Sequence, residues 1–174
     1  APQLRTNPMI GLAAGDGVVD PVGRPQLAVG AVVQSSDELL LVRRGTEPHI
    51  GRWTLPGGRV ERGELLAEAV IRELREETGV VGVCSDLLGL AELLPGFGND
   101  DDPHDDQQGV ARPGNNHFVV ANFVITLLDP DQRPIAGSDA SDVAWVPVWD
   151  VAEMDLTPGL AEFLSEHRII DTIA

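Results

Sequence analysis

Three carboxylates, Glu73, Glu76 and Glu77, fall within a single five-residue stretch of this chain. A helix advances by about 100° per residue, so it would gather them on one side over roughly 100°. Like charges at these spacings weaken a helix by roughly 0.2–0.5 kcal/mol per pair. Arg72 and Arg75 offset part of that, since Glu68–Arg72 and Arg72–Glu76 are i,i+4 pairs. A bound cation would offset more. Just upstream, Pro56-Gly57-Gly58 offers backbone without side chains, which can approach a ligand closely. Oxygen ligands beside a tight backbone turn suit a hard cation, Mg²⁺ or Mn²⁺. The alternative is a solvated acidic helix face. Against it stand the glycine-rich lead-in and the position of the carboxylates, next to the apolar stripe of the helix rather than opposite it.

The helix that must carry these groups is bounded by Gly63, which can cap its start, and by Gly79, a natural C-terminal stop. Ala67, Val70, Ile71 and Leu74 share the face expected to pack on the rest of the domain. Before it, 26–33 reads as a buried strand, 35–38 as a turn and 39–44 as the returning strand. Loop 45–51 and a short strand, 53–55, then deliver the Gly-Gly turn. After the helix, 80–83, 87–94, 117–128 and 144–148 read as strands, with a polar loop at 138–142. Helical segments are expected to begin at 150–154 and to run over 157–170. Trp53 and Trp145 read as core anchors. Strands alternating with helices imply an α/β fold with a mixed sheet between helices. Residues 1–25 read as an irregular arm and 26–174 as one domain. Segment 95–116 is rich in Gly, Asp and Asn, and is expected to be a mobile loop that contributes to specificity.

The stretch from Gly58 to Val80 resembles the Nudix box, G-x5-E-x7-R-E-U-x-E-E-x-G-U with U apolar. It matches at every position: Gly58, Glu64, Arg72, Glu73, Leu74, Glu76, Glu77, Gly79 and Val80. The resemblance implies an α/β/α sandwich and metal-dependent hydrolysis of a nucleoside diphosphate linked to another group. A cation held by carboxylates can neutralise phosphoryl charge and acidify water for attack on phosphorus.

Carried over residue by residue, it implies Glu73, Glu76, Glu77 and the Gly57 carbonyl as metal ligands. It implies Arg72 as the residue that orients the carboxylates, and Glu64 as a hydrogen-bonding support. The general base varies in this family: a box glutamate serves, or an acid from a later loop. Asp139 and Asp142 are candidates, and each could equally be a turn former. Arg44, Gly58, Phe118 and Asp142 form the candidate substrate-contacting set. For Arg44 a surface role is an alternative, and for Phe118 and Phe123 core packing. His117 and Asn116 lie at the entry of the central strand. The flanking stretches Leu40–Arg44, Gly51–Gly58 and Asp142–Pro147 resemble the ADP-ribose pyrophosphatase branch. The branch that sanitises oxidised nucleoside triphosphates shares most of these features, and a non-catalytic nucleotide-sugar sensor is a third reading.

Composition narrows the rest. The 174 residues carry a net charge of −16, and all 12 basic residues are arginine. That balance speaks against a nucleic-acid partner. It also means that any phosphate substrate needs local positive charge to enter. No apolar run is long enough to span a membrane. The single cysteine, Cys84, reads as a buried structural thiol and suits a reducing cytoplasm. The partner is expected to be a nucleotide-type small molecule, with assembly as a homodimer open.

Overall fold

The computed structural model describes residues 24–94, 117–137 and 139–171. The expectations for the arm up to residue 23 and for the 95–116 loop fall outside the described residues.

The elements, in chain order, are β1 (Gln26–Ser35), β2 (Glu38–Arg44), β3 (Trp53–Thr54), β4 (Gly57–Arg59), α1 (Leu66–Thr78), β5 (Gly82–Leu93), β6 (Phe118–Leu127), β7 (Ala140–Pro147), a 3-10 turn at Val151–Glu153, and α2 (Leu160–Glu166). The sheet runs β3-β2-β1-β6-β5, with β4 also pairing with β1 and β7 with β2. β1 and β6 are parallel, and the other pairings are antiparallel, so the sheet is mixed.

The small and β-branched residues of β1 explain its central place, because both of its faces are covered. Val29, Ala31 and Val33 point to one side and pack with Leu40, Ala121 and Ile125 against Ala69, Val70 and Leu74 of α1. Val32 points to the other, and packs with Leu39, Leu41 and Leu55 against Leu160, Phe163 and Leu164 of α2. Two helices therefore sandwich the sheet, the α/β/α arrangement expected. Trp145 packs against the first cluster and Trp53 against the second, as read.

Several boundaries differ from the sequence reading. α1 starts at Leu66, with Leu65 as its N-cap, and the Glu68 carboxylate accepts a 3.1 Å hydrogen bond from Leu65 N. Gly63 instead turns the chain before the helix at φ +84°. Ala67 is exposed, and Ala69 takes the buried position. Gly79 does end the helix, in the left-handed conformation at φ 70°. The two strands read over 80–94 are one strand, β5, whose pairing with β6 shifts between Cys84 and Asp86 and between Leu87 and Gly89. Those shifts break the alternation and made one bulged strand read as two. β7 begins at Ala140 in place of the polar loop, because it pairs with Arg44 at the end of β2. The terminal helix is only Leu160–Glu166. Cys84 is a free, half-buried thiol packed beside the α1 cluster, and burial raises its pKa.

The Gly-Gly turn is itself a strand, β4, laid antiparallel on β1 with Gly57 opposite Gly30 and Gly58 opposite Val29. Neither glycine is needed for backbone freedom. A Cβ on Gly57 would stand 2.1 Å from Val29 O, and one on Gly58 would stand 2.5 Å from the Glu73 carboxyl. Close packing of strand on strand, and of strand on helix, demands both.

Candidate active site

α1 and β4 bring the box residues to one end of a cleft of about 750 Å³, which runs along the α2-facing side of the sheet. Glu73, Glu77, Gly57, Gly58, Arg44, Asp139 and Phe118 all line it. Asp142 does not: it sits on β7 opposite Arg43, and its carboxylate accepts a 2.8 Å hydrogen bond from Val143 N. Of the two later acids, Asp139 is thus the one at the cleft. The segment before it is fixed by α1, where Ile135 N and Gly137 N donate to the carbonyls of Thr78 and Glu77. Phe123 faces the α1 core, and Phe118 faces the cleft with the Arg59 guanidinium 5.5 Å from its ring.

Arg72 organises the carboxylates. Its Nε and Nη2 donate to Glu64 at 2.7 and 2.9 Å, its Nη1 to Glu73 at 2.7 Å, and its Nη2 also to Arg59 O at 3.1 Å. Glu76 lies 3.5 Å from Nη1 and is the most exposed of these acids. The Arg72 hydrogen bonds hold the Glu64 carboxyl down at about 2, and the two carboxylates hold the Arg72 proton more firmly than usual.

Glu77 is placed differently. It is half-buried against β4, and Gly57 N donates to its Oε2 at 2.9 Å. Burial pushes its pKa up to about 7. Glu73 and Asp139 add to the rise, while the Gly57 hydrogen bond and Arg44 oppose it.

The residues fit a hard divalent cation. The donors are oxygens only, and Glu77 is a carboxylate whose burial leaves it short of positive charge. Among the described residues, no three His, Cys, Asp or Glu side chains already converge as a metal cluster. Arg72 holds Glu73, and Gly57 holds Glu77.

The opposite wall supplies positive charge. Arg44 Nε donates to Pro48 O at 2.6 Å and Arg43 Nε to Gly51 O at 2.7 Å, so the 45–51 loop is tied back to β2. His49, on that loop, also lines the cleft, and burial with Arg52 and Arg44 lowers its pKa. His117 stands at the start of β6, with Nε2 3.8 Å from Glu92 Oε1.

Sequence reasoning missed Asn122. It lies on β6 in the floor of the cleft, buried at 4% exposure. The available signal was one carboxamide in the middle of a largely apolar strand, Phe118–Leu127.

The family model described as NUDIX domain matches residues 24–167. The chain is 31% identical over 118 residues to an ADP-ribose pyrophosphatase from Methanocaldococcus jannaschii, covering 68% of this chain and 59% of that protein. It therefore spans less than two thirds of that relative. It is 28% identical over 146 residues to the nucleoside triphosphatase NudI of Escherichia fergusonii, covering 82% of this chain and 96% of that protein. Among solved structures, the NUDIX domain of Shewanella oneidensis NrtR complexed with ADP ribose superposes with a TM-score of 0.63 at 27% identity. That match covers 83% of this chain and 87% of the other.

Proposed function

The chain belongs to the Nudix family, and from that premise we propose that it hydrolyses the diphosphate of a nucleoside diphosphate derivative, with ADP-ribose as substrate and AMP and ribose 5-phosphate as products. The observation that carries this reading is Glu77, a carboxylate pushed up to about 7 in a cleft that also holds Glu73, Arg44 and Asp139. The similarity to an ADP-ribose pyrophosphatase and to an ADP-ribose-bound NUDIX domain supports the choice of substrate.

Glu73, Glu76, Glu77 and the Gly57 carbonyl would hold Mg²⁺ or Mn²⁺. When bound, the cation supplies charge neutralisation at the phosphoryl oxygens and lowers the pKa of water. Arg72 keeps Glu73 aimed from α1 toward β4 and takes Glu64 as its anchor. Arg44, fixed by its bond to Pro48 O, presents its guanidinium to the diphosphate. That local charge overcomes the repulsion that a chain of net charge −16 exerts on a phosphate. Asp139, which lines the same cleft, would take the proton from water. Attack at one phosphorus breaks the bridging P–O bond and leaves two monophosphates.

The test is product analysis with ADP-ribose and Mg²⁺. AMP and ribose 5-phosphate should appear, stop on chelation with EDTA, and return with Mg²⁺ or Mn²⁺. Turnover undiminished in chelator would remove the metal from the reaction. A second reading, removal of pyrophosphate from a nucleoside triphosphate, is favoured by the near full-length similarity to NudI. It wins if triphosphates are cleaved and ADP-ribose is inert.

A further inference from the structure

We infer that Asn122 reads the hydrogen-bonding edge of the nucleobase at the floor of the cleft, an inference that rests on the nucleotide substrate proposed above. Asn122 is on β6, with β1 on one side and β5 on the other, and pairs with Gly30 and Gly89. A valine or leucine would suit this site, as at Val120 and Val124 on the same face. The carboxamide gains little from its own fold. Among the described residues its side chain makes one hydrogen bond, a 3.5 Å donation from Nδ2 to Val120 O. A purely structural asparagine at 4% exposure would be tied firmly into the backbone.

The neighbouring strands make room for it. A Cβ on Gly30 would stand 2.2 Å from Asn122 Oδ1, so only glycine there lets the amide lie in this place. On the other side the His167 ring fills the space over Gly89, with its buried Nε2 unpartnered among the described residues. Ala28, Leu55, Ala91, Val120 and Phe163 line the same cleft, an apolar slot of the kind that takes a flat ring.

Position ties this floor to the diphosphate end. Gly30 pairs with Gly57 of β4 and with Asn122 of β6, so the three stand in one row across the sheet. Two strand spacings separate the backbones of Asn122 and Gly57, about 10 Å. The Asn122 amide leans over Gly30 toward Gly57, within reach of a nucleotide held at the diphosphate end. A carboxamide offers one donor beside one acceptor. Adenine returns that pattern with its 6-amino group beside a ring nitrogen. A base without the amino group would leave the buried amide unpaired, which is what makes such a site selective.

The experiment compares kcat/KM for ADP-ribose and for its analogue with unsubstituted purine in place of adenine, with Mg²⁺, in the wild type, N122L and N122A. The wild type should prefer adenine by about tenfold or more. N122L should bring the ratio close to unity by raising KM for ADP-ribose while kcat is retained, with a melting temperature unchanged or higher. N122A removes the amide without adding bulk, should also lose the preference, and decides the matter if N122L does not fold. A wild type that does not discriminate, or variants that keep its ratio, overturn the inference. If the wild type hydrolyses neither compound, the ADP-ribose reading falls, and calorimetry with AMP and purine riboside 5′-monophosphate decides this one separately. Weaker AMP binding by N122L then supports it. Equal binding, or no binding of AMP by the wild type, overturns it.

Discussion

Glu77 Oε2 accepts a hydrogen bond from Gly57 N at 2.9 Å, so the last carboxylate of α1 is fastened to the strand that precedes the helix by a contact 20 residues long in sequence. The bond favours the ionised acid, yet burial and the nearby Glu73 and Asp139 win, and the pKa rises to about 7. A single residue thus links stability to pH, and as a ligand of the proposed cation it would link both to metal.

The pH dependence of stability follows in sign. Glu77 titrates near its ordinary value of 4.5 when unfolded and at about 7 when folded. Between those values the folded chain holds a proton that the unfolded chain has released. Its contribution is therefore complete below about 4.5 and is lost as pH rises through about 7, to a total of up to about 3 kcal/mol. Metal-free protein should lose stability across that window. Added Mg²⁺ should restore it most at the upper end, with release of a proton. Denaturant titrations with and without Mg²⁺ at a series of pH values check this. A Mg²⁺ effect independent of pH would detach Glu77 from the metal.

Glu77→Gln keeps the shape and an acceptor for Gly57 N while removing the buried charge. At pH 8 without metal it should stabilise the protein, by about 1–3 kcal/mol. Turnover should fall by orders of magnitude, and stabilisation by Mg²⁺ should shrink. A merely solvated surface acid would give no such opposition between stability and activity. Near-normal kcat with an unchanged Mg²⁺ response would take Glu77 out of the site.

Arg72→Lys tests the organiser of the helix. Lysine is a point charge and cannot reproduce the fork that holds Glu64 through both its oxygens and reaches Glu73 as well. The substitution should cost about 1–2 kcal/mol and lower kcat. Glu64→Gln added to it should cost less than Glu64→Gln alone, because the two residues act through one another. Since the Glu64 carboxyl is held down at about 2, the coupling should be complete above about 4.5 and fade only as the pH falls toward 2. Additive losses in the double variant would show that the pair is not coupled.

The sandwich was legible because β1 and β2 are apolar on both faces and α1 on one, and those periods survive any detail of packing. The box residues were legible because their spacing is fixed by one helix. What the sequence concealed depends on pairing between distant segments. Asp139 and Asp142 are equivalent in sequence, and only the pairing of β7 with β2 sends one to the cleft and the other against Arg43. The bulges of β5 hid a single strand, since alternation is lost wherever the register shifts. Asn122 acquires meaning only when Gly30 and Gly89 are seen beside it. Glycine was the most misleading signal: Gly57 and Gly58 read as a turn, though they form a strand whose neighbours leave no space for a side chain.

Those two glycines give the last prediction, because alanine at each meets a different kind of obstacle. Neither has a positive φ, so alanine would be unstrained in its own backbone. At Gly57 the new methyl would stand 2.1 Å from Val29 O and 2.9 Å from Gly30 Cα, both backbone atoms of the central strand. They cannot yield without parting β4 from β1 and breaking the approach of Gly57 N to Glu77. Gly57→Ala should cost about 3 kcal/mol or more and lower activity through loss of folded protein. At Gly58 the three atoms nearest the new methyl all belong to the Glu73 carboxyl, at 2.5 to 2.7 Å, and that is the far end of a flexible side chain. Glu73 can swing aside, so Gly58→Ala should leave the stability within about 1 kcal/mol of the wild type. The displaced carboxylate would leave its hydrogen bond from Arg72 and its place at the cation, so kcat should fall steeply and the Mg²⁺ concentration for half-maximal rate should rise. Thermal denaturation and Mg²⁺ titrations of the two variants separate the outcomes. A Gly58→Ala protein with normal Mg²⁺ dependence and normal turnover would show that the position of Glu73 does not matter to the reaction.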